Sequence, residues 1–557
     1  MLAATLLLLL CSATAVGQDP VAPEDHAVNM RALDLWLGEY RDGQHRMVKN
    51  DMLDQEALGR ADSLMGRVAS ANNIQAAKLL FTVASLDPQP PGAKSSTDRL
   101  DFYRELQPWR IRTMACLHLQ KMTSPEVLPW LLGKLRAKGL RAREPNQDQR
   151  DAAAVLRVLA GHQQLEAKLE LLRACRSMPT ELRVRAVAAM ARDATLETVP
   201  TLIELLRDSE PNVRIAAADA LGTALSPHTD ETLDTEPTAQ VLDLRDQAIK
   251  KLRNLLTKDS VWQVRSACAY ALARMKCKAV IKPLIDGLDA ELRRKKDPWA
   301  MDVRMHRILE GLTGQTVVQG TIAPWRAFWR KEGPSFAVAK AASPGEQQPK
   351  EDRYQKFFNI ELQSDRVLFV LDFSGSMAEP VQLKTRTTGA APGQKTTKAD
   401  LVVREIQRLI MSLPDGALVN LVVFSEGVRV WREEGGRPAL IKLDDESRDD
   451  LLGSFLPGLR PAGPTNLHGA MAKALDFAGR GIYDKYYKAG FDTMYVISDG
   501  APTAGQVIDK AEIRRQVRET NNLRKIAIHC ITFGDSNDTD FLRLLAKENG
   551  GRHVHVE

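Results

Sequence analysis

Between Val199 and Leu225 the apolar residues fall into two helical stripes separated by a polar turn. In "VPTLIELLRDSEPNVRIAAADALGTAL", Leu202, Leu205 and Leu206 share one face, Asp208-Ser209-Glu210 make the turn, and Pro211 opens a second helix where no amide hydrogen is needed. Val213, Ala216, Ala217, Ala220 and Leu221 follow at the spacing of a single helix face. The template returns in "KLRNLLTKDSVWQVRSACAYALARM", with Leu252, Leu255 and Leu256 before the turn and Val264, Ala267, Cys268, Ala271 and Leu272 after it. Two earlier helices carry related faces, one of Ile111, Met114, Ala115 and Leu119, the other of Val184, Val187, Ala188 and Ala191. In each, the apolar residue that opens the face is followed by arginine: Arg112, Arg185, Arg214 and Arg265.

Paired helices that hide their apolar faces only by stacking on the next pair make a solenoid. This part of the chain resembles HEAT repeats, in which helix-opening arginines are more often structural than ligand-binding. "LTGQTVVQGTIAPWRAFWRKEG", with Trp325 and Trp329 four apart, is expected to close the stack.

After the repeats, "GPSFAVAKAASPGEQQPKED" loses both periods and reads as a flexible linker. Beyond it, apolar runs at Val367–Leu371, Ala417–Phe424, Thr493–Ile497 and Ile526–Phe533 alternate with helix-period segments such as "KADLVVREIQRLIMSL". That alternation predicts a doubly wound α/β domain with a largely parallel sheet and helices on both faces. The expected organisation is a signal peptide over 1–17, a partly helical segment over 18–59, an all-α solenoid over 60–332, a linker over 333–360 and the α/β domain over 361–557.

Composition changes this picture little. The 557 residues are 44% hydrophobic and 27% charged, a profile of folded domains, and a length that exceeds one core. The net charge of +6 arises from 77 basic and 71 acidic residues, a mixed surface that gives no reason to expect a nucleic-acid partner. The N-terminus changes it more. In "MLAATLLLLLCSATAVGQDP", Leu6–Leu10 centre a short apolar region and Ala13-Thr14-Ala15 gives a small-x-small cleavage pattern. A cleaved secretory signal follows, and with it a periplasmic, cell-envelope or extracellular location. Leu10 is too bulky before Cys11 for the usual lipidation signal, and no other apolar run is long enough to span a bilayer. The remaining cysteines, Cys116, Cys175, Cys268, Cys277 and Cys530, are odd in number and widely spaced, with no CxxC, so they are expected as buried apolar side chains.

The chemistry centres on "VLFVLDFSGSMAEP", where an apolar strand delivers Asp372, Ser374 and Ser376 at alternate positions into a glycine turn. Ligands of doubly wound sheets sit beyond such strand ends. One carboxylate and two hydroxyls are hard oxygen donors suited to Mg²⁺, Ca²⁺ or Mn²⁺. "GPTNLHGAM" adds Thr465 just before a helix, and "MYVISDGAPT" adds Asp499 at the end of another strand. Taken together, these residues resemble the von Willebrand factor type A domain, whose metal-ion-dependent adhesion site is Asp-x-Ser-x-Ser with a downstream Thr and Asp. The resemblance implies that Ser374, Ser376 and Thr465 coordinate a divalent cation, most naturally Mg²⁺, while Asp372 and Asp499 act mainly through water. It also implies a non-enzymatic binding function in which a Glu or Asp carboxylate of a partner protein completes the coordination, with the helical arm as a second interaction surface.

Competing motifs are weaker. "DFSGSM" lacks the G-x-S-x-G register of a nucleophile, and none of His468, His529, His553 or His555 stands out as its base. His553 and His555 alternate on an expected terminal strand without a third ligand. Asp535, Asp538 and Asp540 lack the glycine and glutamate of an EF-hand and suit a helix cap before Phe541. The segment 378–397 is longer than the usual connection; within it "GAAPGQKTT" imitates a phosphate loop from Gly389 to Lys395 and Thr396, but Gln394 replaces the second glycine. Helical repeats followed by a type A domain also resemble the Ro ribonucleoprotein, which gives the alternative of RNA binding.

Overall fold

The computed structural model describes residues 23–42, 48–49, 52–86, 101–142, 146–338, 356–381, 396–476 and 490–556, less gaps of at most five residues inside those spans. The expected signal peptide, most of the linker and the phosphate-loop imitation as far as Lys395 lie outside them. The chain forms two compact units, one of residues 1–49 and 53–168, the other of residues 50–52 and 169–557.

The first unit is helical, with its longest helices at Pro23–Arg41, Gln55–Ala69 and Asp101–Gln120. Ile111, Met114, Ala115 and Leu119 are buried on the last of these, as their spacing predicts. Arg112 donates to the Leu86 carbonyl at 3.2 Å.

The second unit begins with the repeat helices α1 (Thr180–Met190), α2 (Val199–Leu205), α3 (Pro211–Thr229), α4 (Ala239–Lys258), α5 (Trp262–Arg274), α6 (Ile281–Leu292), α7 (Ala300–Thr313) and α8 (Ala323–Glu332). The apolar faces of α3 and α5 are buried throughout, whereas Leu255 on α4 is only half-buried. On α1 the buried side is Val184, Ala186, Val187, Ala189 and Met190, and Ala188 is exposed. An alanine-rich helix can roll about its axis at little cost, so spacing alone does not fix its face.

The arginines tie successive turns together. Arg214 grips Asp259 with two nitrogens at 2.9 and 3.1 Å, and Arg265 grips Glu291 at 2.5 and 3.3 Å while donating to the Asp259 carbonyl. Arg265 is wholly buried. A guanidinium can be buried only when its fork is so satisfied. At the end of the stack, buried Trp325 donates its Nε1–H to His306 at 2.9 Å, and Trp329 is half-buried.

The α/β part holds the parallel strands β1 (Arg366–Asp372), β2 (Leu418–Phe424), β5 (Thr493–Ile497), β6 (Ala527–Phe533) and β7 (His553–Val556), with short β3 (Val428–Val430) and β4 (Ile441–Lys442) antiparallel on β2. The main order is β4-β2-β1-β5-β6-β7. Helices α9 (Lys398–Ser412), α10 (Leu467–Asp476), α11 (Lys510–Asn521) and α12 (Thr539–Glu548) connect them. The apolar runs of the sequence are these strands, because a strand covered on both faces needs no alternation. The sheet order reverses between β1 and β5, and both strands open there into loops carrying candidate donors.

The floor of this sheet meets the repeat helices. Arg304 of α7 lies over the Trp262 ring, donates to the backbone carbonyls of Lys525 at 2.6 Å and Asp492 at 2.8 Å, and is almost fully buried. Lys525 in turn pairs with Asp219 of α3.

Candidate metal centre

Asp372 ends β1 with its side chain fully buried. Its Oδ1 accepts the Ser374 amide hydrogen at 2.8 Å and its Oδ2 accepts the Ser498 hydroxyl at 2.5 Å. Burial pushes this carboxyl up to about 6, against the downward pull of the Ser498 and Ser374 hydrogen bonds, and the charge of Asp499 adds to the rise. A site that crowds two carboxylates this way favours an added cation.

The turn then places the hydroxyls. Ser374 Oγ and Ser376 Oγ are 3.2 Å apart, and Ser376 donates its hydroxyl to Asp499 Oδ1 at 2.8 Å. Neighbouring ligands of an octahedral cation with metal–oxygen distances near 2.1 Å stand about 3 Å apart. With its proton committed to Asp499, the Ser376 oxygen keeps lone pairs for such a cation. The donor set therefore fits a hard divalent ion. Among the described residues no three His, Cys, Asp or Glu side chains converge, so an ion here would rest on hydroxyls as much as on carboxylates.

Thr465 belongs to the neighbouring loop. Gly375 donates to the Gly463 carbonyl at 2.8 Å, Ala462 donates to the Phe373 carbonyl at 2.9 Å, and the Thr465 carbonyl accepts the Thr503 and Ala504 amide hydrogens while the Thr465 amide donates to Thr503 Oγ1. Gly463 has φ +75°, a left-handed conformation that glycine adopts without strain. These bonds lace three loops into one rim, with Gly375, Glu379, Glu426, Gly463 and Pro464 exposed and Asp372, Ser374, Thr465 and Asp499 buried beneath.

One residue bonded to the candidate donors escapes sequence reasoning. Lys398 opens α9, and its buried ammonium bonds Asp499 Oδ2 at 2.7 Å and Glu379 Oε2 at 2.8 Å. Burial disfavours that charge, yet the hydrogen bonds to Asp499 and Glu379 outweigh it and hold the Lys398 pKa above its ordinary value. A cation in the first turn of a helix opposes the helix dipole, and that mismatch is the signal the sequence did carry. The position is fixed by the long 378–397 connection, whose ends pair as Pro380–Val381 with Thr396–Thr397. A capping box of Thr397 and Asp400 starts the helix directly after.

The imidazoles are engaged elsewhere. His468 bonds Gln516, His529 accepts from the Arg552 amide, and His553 and His555 both contact Thr532 Oγ1 at 2.9 Å. The last pair does share a face. Asp535 and Asp538 lie outside the described residues, and Asp540 sits in the first turn of α12, paired with Arg543. The five cysteines after the N-terminal segment are free and buried, as expected. No helix among the described residues is long and apolar enough to cross a membrane.

Residues 390–554 match the family model of the von Willebrand factor type A domain, and residues 165–242 match that of HEAT repeats. The C-terminal α/β region is a type A domain. Thr465, Asp499 and Lys398 fall inside the matched span, whereas Asp372, Ser374 and Ser376 precede it. Among solved structures, a von Willebrand factor type A protein from Catenulispora acidiphila is 20% identical, with 35% of this chain and 40% of that chain covered and a TM-score of 0.26. An engineered protein is 17% identical, with 45% and 95% covered and a TM-score of 0.24. No curated protein matches the chain.

Proposed function

We propose that the type A domain binds a divalent cation, Mg²⁺ before Ca²⁺ or Mn²⁺, through Asp372, Ser374, Ser376, Thr465 and Asp499, and uses it to capture a carboxylate of a partner protein. The observation that carries this reading is the bond from Ser376 to Asp499 beside Ser374, which leaves hydroxyl lone pairs gathered under an open rim. The family matches support a protein-interaction role for both regions. Mg²⁺ keeps waters that an incoming carboxylate can replace.

The repeat arm serves as a second interaction surface, and the chain acts after export, as its N-terminal sequence suggests. RNA binding is the weaker reading, since Arg214 and Arg265 spend their guanidinium groups on Asp259 and Glu291. The test is a pulldown from envelope and secreted fractions with wild type and Asp372→Ala. A partner retained with Mg²⁺ and released by EDTA and by the substitution is expected. Retention unchanged in excess EDTA would refute metal-dependent capture.

A further inference from the structure

The ammonium of Lys398 touches the donor set at Asp499. Its side chain is 9% exposed and that of Asp499 only 1%, so the pair is shielded from water, while Glu379 at 64% reaches solvent. One Asp499 oxygen takes the ammonium and the other takes the Ser376 hydroxyl. Holding a buried lysine at a helix N-terminus is unfavourable twice over, by desolvation and by the dipole. The fold nevertheless fixes it there from two directions. The paired ends of the long connection set Glu379 beside it, and the Lys398 amide donates to the Glu379 carbonyl at 3.1 Å.

We propose that Lys398 is a resident counter-cation of the metal centre: it neutralises Asp499, weakens the site's hold on a divalent ion, and leaves the loaded site with a positive charge that an anionic ligand must satisfy. The inference rests on the metal-binding reading above. Its basis is charge counting. Within the buried donor set Asp372 and Asp499 together balance a divalent ion and the ammonium stands in excess, while Glu379 and Glu426 offset it from the solvent-exposed rim. Groups behind the ligands tune a metal in this way without touching it. The partner's carboxylate thus supplies charge as well as a ligand atom.

The experiment uses the full chain, Mn²⁺ as the metal and acetate as the anion. Mn²⁺ affinity is read by electron paramagnetic resonance, and acetate binding to the loaded protein by loss of water-proton relaxation. Lys398→Gln keeps hydrogen bonds to Asp499 without the charge. It is expected to bind Mn²⁺ at least tenfold tighter than wild type and to need several-fold more acetate for half-saturation. Lys398→Met should shift both readings the same way, and Lys398→Arg should stay within about threefold of wild type. Circular dichroism checks each fold, and the glutamine variant decides alone if the methionine variant is unfolded. A folded Lys398→Gln protein that binds Mn²⁺ no tighter than wild type would overturn the counter-cation and leave the metal reading standing. Wild type that binds no Mn²⁺ would overturn both.

Discussion

A carboxylate taken out of water changes its proton affinity, and Asp492 shows this away from the metal centre. It is 1% exposed at the floor of β5, and burial pushes its carboxyl up to about 6 against the pull of Arg304 and of hydrogen bonds from Ser364 and Thr493. Because the folded value lies above the unfolded one, the protonated form stabilises the fold below about pH 4, and that contribution is lost as pH rises through 6. A shift from 3.8 to about 6 corresponds to on the order of 3 kcal/mol. Asp492→Asn removes the titration, so its unfolding midpoint should gain on wild type between pH 4 and pH 7; parallel pH profiles would contradict this. The donor residues around Asp372 are legible in sequence because alternate polar residues at the end of an apolar run have few other uses. Lys398 carries only the faint sign of a charge set against the helix dipole, because its partner Asp499 lies 101 positions away.

Helix α3 approaches α5 closely at one point. A Cβ added to Gly222 would stand 2.8 Å from the Ala271 Cα, so the backbones themselves would have to part. Gly222→Ala should therefore cost about 1–3 kcal/mol by overpacking. Gly311 on α7 has open space around the same position, and Gly311→Ala should instead gain up to about 1 kcal/mol of helix propensity. Chemical denaturation of the two variants checks the pair, and equal effects would show that the helix contact is not as close as described. At this scale the sequence is most readable where burial is complete. The runs that became β1, β2, β5 and β6 and the faces of α3 and α5 follow from apolar periodicity, whereas exposed Ala188 shows that small residues mark a helix without orienting it. The two-residue β4 and three-residue β3 are too short to leave a pattern.

Within residues 169–557 the repeat helices and the type A domain meet through Arg304, Lys525 and Asp219, residues far apart in sequence that carry no local sign of their pairing. The contact engages the floor of the sheet, and the candidate metal centre lies at the opposite, carboxyl ends of the strands. The proposed capture of a partner carboxylate requires that this site hold an ion. The most direct test is a calorimetric titration of the full chain with Mg²⁺ and with Mn²⁺, wild type against the double variant Ser374→Ala, Ser376→Ala. One divalent ion bound per wild-type chain, and none at that site in the folded variant, is the predicted result. No binding by wild type, or equal binding by both, would contradict the account.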